Sequence, residues 1–282
     1  KAALATGRVR LQSEAVVSHV QVDLRSGRAT GVEWIHARSG QREHSQASLV
    51  VLCASTIESV RILLHSQQQG QLEDVSGHLG HYLMDHISSS RFFSIPGVPA
   101  LDGPSELSGA GSCFIPNTVN LDAGSEADFR GGYGLWTALQ RFDPPALLQR
   151  RRGEAVGFLI GHGDVQPNAD NQVTLNSERL DAWGLPTAHI NCRWGANEQR
   201  LVAHMHRRME AVVASGGGRI APLADLFVMP LVEPLVQGSL ALAPGAPPPG
   251  YYIHELGGAP MAAHEEAGVL NPWNQLWRTP NL

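Results

Sequence analysis

The longest unbroken apolar run in the chain is six residues, Leu49-Val50-Val51-Leu52-Cys53-Ala54, and it stops at Ser55-Thr56. A run that short and apolar on both faces reads as a strand buried between two covering layers, as in a parallel sheet. Behind it Ile57, Val60 and Leu64 follow helical spacing, Glu58 falls in the first turn, and Ser55 or Thr56 stands where a helix cap is wanted. The spacing therefore predicts a strand feeding a helix, and a doubly covered strand demands sheet neighbours on both edges. The same run is far below the roughly 20 apolar residues that cross a bilayer.

Apolar residues make up 43% of the 282 and charged residues 17%, a balance that builds a core and argues against disorder. The length allows one large domain or two smaller ones. Net charge is −5, and basic residues cluster only at Arg150-Arg151-Arg152 and Arg207-Arg208, which leaves no broad face for nucleic acid. Cys53, Cys113 and Cys192 are odd in number and widely spaced, so neither a disulfide framework nor a Cys-x-x-Cys metal site is indicated; buried free thiols are expected. The first seven residues hold too short an apolar stretch for a secretory signal, so localisation is unmarked, with cytoplasm and periplasm both open.

Along the chain, Val16, Val20, Val22 and Leu24 partly alternate, Ser26-Gly27-Arg28 has turn chemistry, and Gly31 to Ile35 reads as the returning strand, which predicts a hairpin. From residue 67 a polar loop leads to Gly77-His78-Leu79-Gly80. A Gly-, Pro- and Ser-rich tract from Ile95 to Gly134 then resists assignment. Strands are expected at Tyr133–Leu139, Ala155–Gly161 and Gln172–Leu175. The best-marked helix runs from Asn197 to Ser215, with Val202, Met205, Met209 and Val212 on one stripe and three glycines ending it. His204 and His206, two apart on that helix, are expected to face different ways into solvent. Ala243 to Gly250 reads as a stiff, exposed loop.

That loop delivers Tyr251-Tyr252-Ile253-His254-Glu255-Leu256-Gly257-Gly258-Ala259-Pro260-Met261. A histidine leaving an apolar stretch, with glycines three and four residues on, supplies a proton acceptor beside bare backbone against which a flat ring can lie. A lone histidine after a strand is otherwise an ordinary structural or surface residue, and only context separates the two readings. Further on stands Val269-Leu270-Asn271-Pro272-Trp273-Asn274-Gln275. Upstream, Gly77, Leu79, Gly80, Leu83, Asp85 and His86 form a spaced set; His78, His81, Asp85 and His86 are also types that ligate metals, though no defined scaffold holds them together.

Taken in order, these segments resemble the glucose-methanol-choline (GMC) flavoprotein oxidoreductases. The His254 segment is similar to that family's His-x-x-Gly-Gly-Ala-Arg-Met-Gly, the Gly77 to His86 segment to its Gly-x-Leu-Gly-x-x-Leu-x-Asp-His, Leu49 to Leu64 to its segment in which a buried strand ends in Ala-Ala-Gly and a helix begins with a Ser-Pro or Ser-x-Arg pattern, and residues 14–32 to its adenine-side hairpin. The resemblance implies an FAD cofactor, with Val17, Ala54, Ser55, Asp85, His86, Gly257, Gly258 and Asn271 around it. His254 would accept the proton of a substrate hydroxyl while hydride passes to flavin N5, and no metal is implied. The substrate would be a small alcohol or sugar, with the electron acceptor unspecified. Ser55 stands where the family has glycine, and Pro260-Met261-Ala262 replaces its Arg-Met-Gly, removing a charge and a glycine beside the cofactor.

The implied fold is α/β plus α+β: a partial Rossmann-like FAD domain over 1–88, a helix-covered antiparallel substrate domain over 89–250, and a catalytic segment over 251–282 returning to the FAD domain. No Gly-x-Gly-x-x-Gly opens the chain, and no Asp-Gly turn follows Asn271. The expectation is therefore a piece of a longer enzyme. The competing expectation is a catalytically silent fragment or interaction module, and a metal hydrolase is the third.

Overall fold

The computed structural model describes residues 2–96, 98, 111–121, 127–139, 146–151, 153–228 and 245–282. In chain order the regular elements are α1 (Ala2–Ala5), β1 (Ala15–Asp23), β2 (Arg28–His36), β3 (Arg42–Gln46), α2 (Thr56–Gln68), β4 (Ile87–Ile95), β5 (Ser112–Ile115), β6 (Tyr133–Leu139), β7 (Ala155–Gly163), β8 (Gln172–Leu180), β9 (Pro186–Asn191), α3 (Ala196–Ser215), β10 (Arg219–Ile220) and α4 (Leu223–Leu226). A short 3₁₀ turn at Ala146–Leu148 follows β6. They divide into two compact units: residues 1–84, 167–192 and 255–282 form one, and residues 85–166 and 193–254 the other.

In the first unit β1, β2 and β3 form an antiparallel meander, and β8 pairs with β9. The expected hairpin is present: Gly27 N–H bonds to the Asp23 carbonyl at 2.8 Å, and the Asp23 carboxylate accepts from Arg25 N–H at 3.1 Å and Ser26 Oγ at 2.8 Å. Helix α2 covers the outer edge of β1 with polar side chains. Arg61 donates to the Val17 carbonyl at 3.1 Å, Ser66 Oγ accepts from Val20 N–H at 2.9 Å, and Gln71, just beyond the helix, accepts from Val22 N–H at 3.0 Å. The His65 ring meets the Ser18 carbonyl at 3.0 Å. Unpaired backbone groups on an edge strand have to be satisfied somewhere, which is why Arg61, His65 and Ser66 are buried.

The expected strand at Leu49–Ala54 is corrected here. The segment is extended but joins no ladder, and every pairing between named strands is antiparallel. Val50 is buried beside Val20, Ala29 and Ile62, while Leu49 is 62% and Val51 70% exposed. One face is covered and the other is bare, so the run behaves as a half-buried extended segment despite being apolar on both sides. The fold is thus α+β with antiparallel sheets, and a parallel strand-to-helix unit is not among the described residues.

Helix α2 matches expectation, but its cap does not. Ser55 holds the N-cap position with φ 69° and ψ 168° and makes no side-chain cap bond; Thr56 Oγ donates instead to the Glu255 carbonyl at 2.6 Å. The thiols also depart from expectation: Cys53 and Cys113 are exposed and Cys192 is half-buried. Cys53 sits in the segment with a bare face and Cys113 on β5, the last strand of its sheet, so neither has a covering layer.

The second unit is a five-stranded antiparallel sheet, order β10-β4-β7-β6-β5. The strands expected near 133, 155 and 172 are present. Burial alternates along β7, with Ala155, Gly157, Leu159, Gly161 and Gly163 buried. Leu201, Met205 and Met209 of α3 fill that side, together with Ile87, Phe93 and Leu135. The strict alternation turns His162 to the opposite face. Glu198 tethers the start of α3 by accepting from Gly195 N–H at 2.8 Å and Gln166 N–H at 3.1 Å.

Strand β4 was not anticipated, because its inward face is partly polar. His206 of α3 is buried, correcting the solvent-facing expectation, and its Nε2 lies 2.7 Å from Ser89 Oγ while Arg91 reaches its Nδ1 at 2.9 Å. His204 turns the other way, to the Tyr133 hydroxyl at 2.8 Å. The part of the expected exposed loop that is described, Gly245–Gly250, is largely half-buried and is held by Trp194 Nε1 donating to the Pro247 carbonyl at 2.6 Å; Ala243 and Pro244 lie outside the described residues, as do 99–110 and 122–126 of the unassigned tract.

Candidate functional site

Within the second unit, residues far apart in sequence converge around His254. Its ring stands edge-on to the His86 ring, centroids 5.2 Å apart at 85°, and its backbone N–H reaches Asp85 Oδ1 at 3.3 Å. The same oxygen accepts from His86 N–H at 2.6 Å, so one buried carboxylate anchors the backbone of both histidines. His162 joins from β7, 5.5 Å from the His86 ring, and Tyr252 lies 4.8 Å from His162 and 6.0 Å from His254. The His86 and His254 side chains are exposed, whereas His162 and Tyr252 are half-buried. Burial lowers the His162 pKa, the imidazoles of His86 and His254 lower it further, and Asp85 acts against them. The result is a cluster of rings in which the half-buried His162 is disfavoured as a cation and two imidazoles, His86 and His254, are accessible.

In the first unit the segment after His254 is clasped to the segment before Asp85. Met84 and Leu256 exchange backbone bonds at 2.8 and 2.9 Å, Gly80 N–H reaches the Gly258 carbonyl at 2.6 Å, and Gly258 N–H reaches the His81 carbonyl at 2.9 Å. Gly257 has φ 91°, and a Cβ there would overlap the Tyr82 carbonyl oxygen. Gly258 has φ 73°, and its Cβ would stand 2.6 Å from Val60 Cγ2. Both positions therefore need glycine so that the chain can close on itself.

Val17 and Ala54 line one cavity of about 340 Å³, together with Gly31, Val32 and Ile62. Ser55 adjoins Ala54 in the conformation described above. Asn271 is committed to its own turn: its Oδ1 accepts from Trp273 N–H at 2.9 Å and Gln275 N–H at 3.1 Å, and its Nδ2 donates to Gln275 Oε1 at 3.0 Å. His78 and His81 lie against the carbonyls of Ala267 and Ala169 at 3.2 and 2.8 Å. Among the described residues no group of three or more His, Cys, Asp or Glu is arranged to hold a metal ion. None of the described helices is long and apolar enough to cross a membrane.

His162 and Tyr252 were not singled out by sequence reasoning as members of the site. The signal for His162 was its outward place in the alternation of β7, which becomes informative only once α3 is known to cover the other face.

Residues 167–282 match the family model described as GMC oxidoreductase, C-terminal part. Over those residues the chain is similar to the GMC oxidoreductases. Among curated proteins, 2-methyl-1,2-propanediol dehydrogenase from Mycolicibacterium austroafricanum is 28% identical over 283 aligned residues, covering 93% of this chain and 47% of that protein. C-glycoside 3-oxidase from Microbacterium trichothecenolyticum is 26% identical, covering 96% and 47%. The chain thus spans about half the length of the curated relatives it matches. Formate oxidase from Aspergillus oryzae RIB40 matches in structure with a TM-score of 0.58 at 16% identity, over 95% of this chain and 54% of that one, and so shares its fold. The Pro260-Met261-Ala262 departure from the family motif falls where Ala262 N–H bonds to the Leu270 carbonyl at 2.9 Å and Met261 is 56% exposed.

Proposed function

We propose that this chain carries the proton-accepting part of an FAD-dependent enzyme that oxidises the CH–OH group of a small alcohol or sugar. The observation that carries the reading is the meeting of His254 with Asp85 and His86, two family motifs separated by some 170 residues of sequence, whose rings stand 5.2 Å apart. FAD, when bound, supplies the hydride acceptor that no side chain can. His254 takes the hydroxyl proton, for which an exposed imidazole is suited. Asp85 fixes the backbone on which that imidazole stands, and His162 and Tyr252 limit water at the base of the site.

The residues present are compatible with part of the cofactor. The cavity shared by Val17 and Ala54 is walled by apolar side chains and by the extended 49–54 segment, which joins no ladder, and this suits the adenine end of a dinucleotide. Ser55 would follow it at the start of α2, and the family resemblance assigns Asp85, His86 and Asn271 to the cofactor as well. Gly257 and Gly258 would act by letting their own turn close on the segment before Asp85. Residues 1–88 and 251–282 would serve the cofactor, and most of 89–250 the substrate. The printed names of the two curated relatives point to a diol and a glycoside, in keeping with a hydroxylated substrate.

The test is anaerobic bleaching of the FAD-loaded enzyme by an alcohol, followed in the visible spectrum. His254→Ala should slow bleaching by at least about 100-fold while leaving the oxidised spectrum unchanged. Bleaching at the parent rate would remove His254 from the chemistry. A chain that binds FAD poorly and bleaches with no alcohol would instead be the silent module.

A further inference from the structure

His162 has a hydrogen-bonding state that its neighbours fix. It pairs across the sheet with Ser88 of β4, and its Nδ1 lies 3.2 Å from Ser88 Oγ. Ser88 has one hydroxyl proton, and Oγ donates it to the Gly161 carbonyl at 2.8 Å. Oγ can then only accept from His162, so Nδ1 carries the ring proton and Nε2 keeps its lone pair. Among the described residues nothing is bonded to that Nε2. Burial and the two neighbouring imidazoles, opposed by Asp85, disfavour protonation of that lone pair.

His162 and His254 also share their surroundings, since His86 and Tyr252 contact both rings. Two imidazole acceptors flanking the same pair of aromatic neighbours suit a substrate that presents two hydroxyl protons. A simple alcohol would satisfy one acceptor and leave the other half-buried and unmatched, which sites of this kind discriminate against.

We propose that His162 is a substrate-binding residue whose Nε2 accepts a hydrogen bond from a second hydroxyl, so that the site selects vicinal diols and sugar-like polyols over simple alcohols. The inference rests on the alcohol-oxidising reading above and adds the substrate class to it. No proton leaves the second hydroxyl, so His162 acts in recognition and takes no part in the redox step.

The first measurement needs neither flavin nor turnover. In long-range proton–nitrogen correlation spectra of the histidine-labelled chain, His162 should appear as the Nδ1–H tautomer. Its Nε2 resonance should move on addition of 1,2-propanediol and stay in place with 1-propanol at equal concentration. An Nε2–H tautomer, or an equal response to both alcohols, would overturn the proposal. In the FAD-loaded enzyme, His162→Phe should lower kcat/KM for 1,2-propanediol about ten-fold more than for 1-propanol, mainly through KM. His162→Gln, which retains an acceptor, should recover part of the loss. Equal losses for both alcohols would mark His162 as structural only and defeat the proposal. A parent enzyme that oxidises neither alcohol yet shows the diol-specific shift would refute the redox reading while upholding the recognition site.

Discussion

The buried Ser89–His206–Arg91 group makes the second unit sensitive to mild acid. Burial, and then the adjacent Arg91 charge, lower the His206 pKa from 6.5 to about 4. The geometry explains the sign: Arg91 donates to Nδ1 at 2.9 Å, which only a neutral ring can accept, and Nε2–H is then the donor toward Ser89 at 2.7 Å. Because the folded pKa is depressed, the unfolded chain binds the proton more readily between pH 6.5 and 4. The stabilisation from the neutral ring is whole above pH 6.5 and is lost as the pH falls through that window. A displacement of this size corresponds to roughly 3 kcal/mol when fully developed and roughly 2 kcal/mol by pH 5. Urea unfolding of the parent and of His206→Gln at pH 7 and pH 5 isolates the effect, since the other titrating groups are common to both and cancel in the difference. Glutamine can accept from Arg91 and donate to Ser89 without titrating, so the variant should lose roughly 2 kcal/mol less than the parent over this interval. Equal pH dependence in the two proteins would refute the assignment of a neutral, Nδ1-accepting His206.

Two further perturbations test the backbone around the site. Ser55 occupies a left-handed conformation that costs a non-glycine residue about 1–2 kcal/mol, so Ser55→Gly should raise stability by roughly 0.5–1 kcal/mol after the entropic cost of glycine; a neutral or destabilising result in urea unfolding would show that the conformation is unstrained. Gly257→Ala places a methyl against the Tyr82 carbonyl and disrupts the Met84–Leu256 pair, for a combined loss of about 3 kcal/mol; a melting temperature within a degree or two of the parent would contradict the close approach seen there.

Much of this architecture was legible in the chain. The β1–β2 hairpin, α2, β6, β7 and α3 follow from alternation, helical spacing and glycine stops, because each buries a clearly patterned face. The Leu49–Ala54 run was misread because apolar character on both faces shows what a segment could bury, while its neighbours decide what it does bury. Strand β4 was missed for the converse reason: Ser89 and Arg91 break the apolar pattern, and their partner His206 is over 100 residues away. At the site, His254, Asp85 and His86 came from local motifs. His162 and Tyr252 required the sheet, since the feature that distinguishes them is which strands and faces they share.

Helix α2 has one more consequence, concerning association. With its polar side chains satisfying β1, that side of the meander offers nothing for a foreign strand to zip onto. The opposite margin, β3, is guarded differently: its sequence Arg42-Glu43-His44-Ser45-Gln46 is exposed throughout and contains no apolar residue. A recombinant piece ending between residues 46 and 56 would keep the guarded margin and strip the covered one, leaving an adhesive strand free to recruit its own copies.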